Sequence, residues 1–301
     1  MNRPPQPPAM DFFAAPRREA GDRRIRIDLS GLAIVIEGLD VRLEKELRER
    51  YAPYADDRPA GPEDLRAVLK LEPREYFIDP PPVPEDNPVL LACEGTRVRY
   101  LGYRIAGWFD TRGGRGEILL AGGGYEPPVR AIENYVRSAV AWQAAERGGA
   151  LVHSASAVWK GKGYLFYGPS GAGKSTLSAC NTRASVLSDD LSLVLPRGDG
   201  GLDVAGSPFR GTYTGGPPVL GRFPLVAGFR IVQAPAAEVR EVPHVRVLAQ
   251  LIANLPFVDD AFPVRPDMFE RFERTFGSLT LRHLHFRKDD SFWDAIAAAG
   301  L

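Results

Sequence analysis

Cysteine is scarce in this chain: Cys93 and Cys180 are the only two in 301 residues. Two thiols do not make a disulfide framework, and this usage suits a reducing compartment. Long apolar runs are missing as well. No stretch approaches the roughly 20 apolar residues needed to cross a bilayer. The opening residues, MNRPPQPP, hold no apolar signal core. An excess of one charge is also lacking, because 38 Lys and Arg balance 38 Asp and Glu. Without a broad positive field, nucleic acid is not an expected partner. These gaps predict a cytoplasmic chain with no membrane partner. What is present, 44% hydrophobic and 25% charged residues, suffices for one large or two modest domains.

Residues 1–22 are rich in Pro and Arg and read as a poorly ordered tail. Residues 23–126 read as a mostly β, α+β domain. Strands are expected at 24–29 and 32–36, with Ser30-Gly31 as the turn, and further alternating segments at 65–71, 97–101, 103–109 and 116–121. A surface helix fits 39–51. Pro80-Pro81-Pro82-Val83-Pro84 reads as a stiff loop. Pro127-Pro128 opens a helix over 129–147, which Gly148-Gly149 ends. Residues 127–301 form the second domain. Its expected strands are 151–153, 155–159, 163–167, 185–187, 191–195, 228–232 and 279–286. Its expected helices are 176–180, 245–255 and 267–276.

GPSGAGKST at 168–176 carries the chemistry. Gly168, four residues, then Gly173-Lys174-Ser175 is a complete phosphate-binding loop. Gly168, Gly171 and Gly173 let the backbone curl so that its N–H groups meet a phosphate unobstructed. Pro169, Ser170 and Ala172 fill the turn between them. Lys174 supplies a positive charge for the β- and γ-phosphate oxygens of ATP. Ser175 offers a hydroxyl to the accompanying Mg²⁺. Thr176 opens a helix whose N-terminal dipole faces the phosphates. An apolar strand before the loop and a helix after it are the setting that supports such a motif.

Val186-Leu187-Ser188-Asp189-Asp190 follows, an apolar strand ending in two carboxylates. Next to a phosphate loop, one can help hold Mg²⁺ and the other can take a proton from an attacking hydroxyl. The expected assignment gives the proton to Asp189 and Mg²⁺ to Asp190, although the residue types alone allow either order. His153 lies upstream on an expected strand and can hydrogen-bond the base carboxylate. His283 and His285 share one face of a late strand, but two histidines without a third ligand give little for a metal. Cys180 reads as a small apolar residue of the loop helix.

The run Leu151-Val152-His153-Ser154-Ala155-Ser156-Ala157-Val158, the loop at 168–176 and Leu187-Ser188-Asp189-Asp190 together resemble the HPr kinase/phosphorylase superfamily, in that order. More narrowly they resemble its HPr kinase-related members. The resemblance covers roughly residues 129–300. It implies an α/β fold with a P-loop kinase core of HPr kinase/phosphoenolpyruvate carboxykinase type, a mixed sheet with flanking helices, preceded here by the smaller α+β domain. It implies ATP and Mg²⁺ as cofactors. Lys174 and Ser175 match the phosphate and Mg²⁺ positions, Asp189 the carboxylate that activates the acceptor, Asp190 its acidic neighbour, and His153 the assisting histidine. A homo-oligomer is an expectation by analogy. The chain departs from the superfamily after the acidic pair. In place of a Gly-rich signature with a metal-binding Glu it has Gly206-Ser207-Pro208-Phe209-Arg210-Gly211, where Arg210 is expected to reach phosphate oxygens.

The expected activity is ATP- and Mg²⁺-dependent transfer of the γ-phosphoryl group to a hydroxyl, first of all the serine of a peptide or protein. The alternatives are a small-molecule alcohol as acceptor, or a nucleotide-binding regulatory module without transfer. A transporter ATPase is set aside because no LSGGQ-type signature is present.

Overall fold

The structure is a computed structural model that describes residues 5–80, 88–258, 262 and 265–301. The chain divides into two compact units, Met1–Gln143 and Ala144–Leu301. The expected Pro-rich loop at 80–84 falls, but for Pro80, outside the described residues.

The first unit begins with α1 (Met10–Phe13). Alternation in Arg23–Leu29 turns Ile25, Ile27 and Leu29 inward and forms β1. Ser30 and Gly31, both at positive φ (57° and 98°), turn it back into β2 (Leu32–Leu39). Asp40 caps α2 (Val41–Tyr51), its Oδ1 accepting Leu43 N–H at 2.7 Å. Then come β3 (Ala55–Asp56), β4 (Leu65–Glu72), β5 (Leu90–Glu94), β6 (Arg97–Leu101), β7 (Ile105–Asp110) and β8 (Gly114–Ala121). They make an eight-stranded sheet in the order β3-β1-β2-β4-β8-β7-β6-β5. The β2–β4 and β4–β8 pairs are parallel and the others antiparallel. The segment expected as a loose tail is built into this unit from residue 5 onward. Phe13 is buried, Arg17 Nε sits 2.6 Å from Glu72 Oε2, and the backbone of Glu19 forms an isolated antiparallel β-bridge with that of Lys70. Its apolar Met10, Phe12 and Phe13 pack with Phe77, Leu101 and Leu119, which offsets the ordering cost that the Pro-rich composition suggests. The helix α3 (Pro128–Glu146) follows.

The second unit begins with β9 (Ala150–Trp159), one strand where two were expected, because Ser154 carries the ladder through. It continues with β10 (Lys162–Tyr167), α4 (Lys174–Cys180), β11 (Ser185–Ser188), β12 (Leu191–Pro196) and β13 (Leu202–Ala205). Then come β14 (Arg222–Gln233), β15 (Glu238–Arg240), α5 (His244–Ile252), α6 (Pro266–Phe276), β16 (Thr280–Phe286) and α7 (Phe292–Ala298). The strand order is β10-β9-β12-β13-β14-β16-β15, with β11 beside β9. Because β10 also pairs with β14 in parallel, strands β10, β9, β12, β13 and β14 close on themselves. The class is thus α/β with mixed sheets. The core of this unit stacks Tyr164, Phe166 and Phe229 against Leu177 of α4 and Phe292, Trp293 and Ile296 of α7. The opposite face carries α5, where Tyr167 Oη donates to the Val247 carbonyl at 3.1 Å. Among the described residues no helix is long and apolar enough to cross a membrane.

Candidate functional site

The loop at 168–176 leaves the end of β10 and enters α4, which starts at Lys174, two residues before the expected Thr176. Its glycines have local reasons. Gly171 stands at φ +76° with open space where a Cβ would sit, so the backbone surface there is bare. Gly173 stands at φ +105°, and a Cβ would come within 2.8 Å of the Phe286 ring. Inside the loop, Ala172 N–H donates to Pro169 O at 3.1 Å. Among the described residues, the N–H groups of Ser170, Gly171, Gly173, Lys174, Ser175 and Thr176 have no protein acceptor. Unpaired amides converging in a turn form an anion-binding nest. Lys174 is only 8% exposed. Its Nζ donates to the carbonyls of Gly168 (2.8 Å) and Pro169 (3.3 Å). Burial holds its pKa below the usual lysine value, and the Asp190 charge opposes that effect.

The acidic pair sits between β11 and β12, which both run alongside β9. Ser154 N–H donates to Asp190 O at 2.9 Å, which fixes the pair opposite the middle of β9. The two carboxylates differ sharply. Asp189 is buried and accepts three backbone N–H groups, Gly211 on Oδ1 (2.8 Å) and Thr212 and Tyr213 on Oδ2 (3.0 and 2.9 Å). Ser188 reinforces the same segment, donating to Phe209 O at 2.7 Å. Gly211 lies so close that its Cβ would stand 3.1 Å from Asp189 Oδ2. Asp190 is partly exposed, with Oδ1 3.8 Å from His153 Nε2. His153 thus stands beside Asp190, whereas the sequence reading attached it to the base carboxylate, Asp189.

These groups line one cleft of about 350 Å³. His153, Ser170, Gly171, Gly173, Lys174, Ser175 and Thr176 form one part of its wall, and Asp189 and Asp190 another. Gly168, Pro169 and Ala172 shape the turn without lining it. Arg210 does not line the cleft. Its Nη1 and Nη2 donate to the carbonyls of Gly216 (3.2 Å) and Pro217 (3.1 Å), so the expected reach to phosphate oxygens is replaced by bracing of its own loop. Two lining residues escaped the sequence reading, Thr212 and Gln233. Gln233 ends β14, and its Nε2 is 3.4 Å from the carbonyls of both Gly171 and Ala172. Its position at the end of a strand that runs parallel to the loop's own strand is the signal that would have found it. Among the described residues no group of three or more metal-ligating side chains occurs. His283 is hydrogen-bonded to Gln250 Oε1 at 3.1 Å.

Residues 131–213 match the family described as SynChlorMet cassette protein ScmC. The matched stretch contains the loop, His153, the acidic pair and the backbone amides that hold Asp189. No curated protein matches the chain.

Proposed function

We propose that this chain is a Mg²⁺- and ATP-dependent kinase with a P-loop core of HPr kinase type, transferring the γ-phosphoryl group to a serine hydroxyl of a peptide or protein. The observation that carries the reading is a shared cleft: an amide-lined turn, a lysine, a hydroxyl and a carboxylate–histidine pair face the same space. Six unpaired amides and a buried ammonium suit a triphosphate tail. On binding, Lys174 exchanges its two loop carbonyls for phosphate oxygens. That ion pair relieves the burial that depresses its charge.

The residues present fit Mg²⁺ bound with the nucleotide. Ser175 would hold it beside the phosphate oxygens, in keeping with an ion that retains several waters. Mg²⁺ supplies charge neutralisation on the β- and γ-phosphate oxygens. The proton of the acceptor hydroxyl goes to Asp190, whose carboxylate is accessible and flanked by His153. Asp189 is poorly suited to that task, because three backbone N–H donors already occupy lone pairs on both of its carboxylate oxygens. Its part is to hold Gly211–Tyr213 against the cleft. This moves to Asp190 the proton-accepting role that the family resemblance implies for Asp189, and leaves the metal to Ser175.

The test is incubation of the protein with γ-³²P-ATP and an extract of its native host, followed by acid hydrolysis of the labelled material. The expected product is phosphoserine in a peptide or protein. Label confined to small metabolites would move the acceptor to a small-molecule alcohol, and no label in any fraction would reject transfer.

A further inference from the structure

A row of residues away from the cleft has no part in that chemistry. Tyr167, Arg230, His283 and Arg240 lie side by side across β10, β14, β16 and β15. Residues in register project from one face of a sheet. That face is the one α5 covers, through Tyr167 Oη on Val247 O and His283 Nε2 on Gln250 Oε1. The phosphate loop belongs to the other face, where Gln233, three residues past Arg230, reaches the loop carbonyls.

Arg230 is half-buried in this row, yet no described carboxylate lies within ion-pair reach of its guanidinium. Arg246, on the first turn of α5, lies one helical turn before Gln250, the residue that His283 contacts, and so brings a second positive charge to this face. The nearby acids are already engaged. Glu238 stands 2.7 Å from Arg240, and Glu241 stands 3.1 Å from Arg282. Burial holds His283 below its ordinary value of 6.5, and Arg230, Arg246 and His285 push it the same way. Like charges gathered in a partly desolvated spot cost free energy that a bound anion would offset.

We propose that Arg230, His283 and Arg246 form a second oxyanion site, on the α5 face of the sheet, which takes a compact phosphoryl or carboxylate group. Two arginine forks give the planar, paired donors such groups accept, and protonation of the imidazole adds positive charge next to Arg230. The site is independent of the kinase reading, since it shares no residue with the cleft.

The experiment follows the C2-proton titrations of the four histidines by NMR, with inorganic phosphate and, separately, with acetate. A bound anion raises the His283 midpoint from its depressed value, because the added negative charge favours the imidazolium. Response to phosphate alone assigns a phosphoryl ligand, and response to acetate alone a carboxylate. Arg230→Gln should abolish the response. Arg246→Gln, at an exposed helix position, should weaken anion affinity roughly tenfold and serves where Arg230→Gln does not fold. Lys174→Ala, which disables the phosphate loop, should leave the His283 response intact. A His283 midpoint unmoved by both anions, an equal shift in the arginine variants and wild type, or loss of the response in Lys174→Ala would overturn the proposal.

Discussion

Asp189 and Asp190 are chemically identical neighbours, and the fold gives them different work. Asp190→Asn should lower turnover by roughly 10²- to 10⁴-fold, the usual worth of a general base, while ATP affinity stays near wild type. Steady-state kinetics with a parallel ATP titration checks both halves. Asp189→Asn should act through structure. Weakening charge-assisted bonds to three backbone amides should cost about 1.5–3 kcal/mol, read as a lowered thermal midpoint. An unchanged melt would remove its anchoring role. This division was not legible in the sequence, because the donors to Asp189 sit more than 20 residues downstream in a loop without regular structure. The same loop misled the reading of Arg210, whose Nη1 and Nη2 donate to carbonyls that only the loop's curl brings near. The loop glycines and Lys174 were legible, since each has a local backbone or charge requirement.

At the scale of elements, the join of β10, loop and α4 depends on Gly173. Gly173→Ala forces a side chain into positive φ and against Phe286. The expected result is a loss of about 1–3 kcal/mol together with weakened ATP binding, checked by denaturant unfolding and nucleotide titration. A variant with wild-type stability and affinity would contradict this packing. The strand β16 carries a pH dependence. His283 and His285 titrate below their ordinary 6.5 in the folded state, chiefly through burial. Between the lowered value and 6.5 the unfolded chain binds more protons. Stability therefore rises with pH through that window and levels off above about 6.5. Urea midpoints measured across it should show the rise, and His283→Gln should flatten part of it. Strands with strict alternation, such as β1 and β4, were legible. Short or poorly patterned elements such as β13, β15 and α7 were not, because their pairing and burial come from distant partners.

For the whole molecule, the α/β class followed from a strand, a Gly-rich loop and a helix in succession, and mixed sheets bear it out. Closure of β10 onto β14 was invisible, because it joins residues some 60 positions apart. The N-terminal segment was misread because composition alone does not reveal that Phe12, Phe13 and Arg17 find partners. The kinase reading rests on the 350 Å³ cleft that gathers the loop amides, Lys174, Asp190 and His153. It is tested most directly by a crystal structure with Mg²⁺ and a non-hydrolysable ATP analogue. The expected result is a γ-phosphate hydrogen-bonded to Lys174 Nζ and the loop amides, with its far side open toward Asp190. A nucleotide bound elsewhere, or phosphates turned away from Asp190, would contradict it.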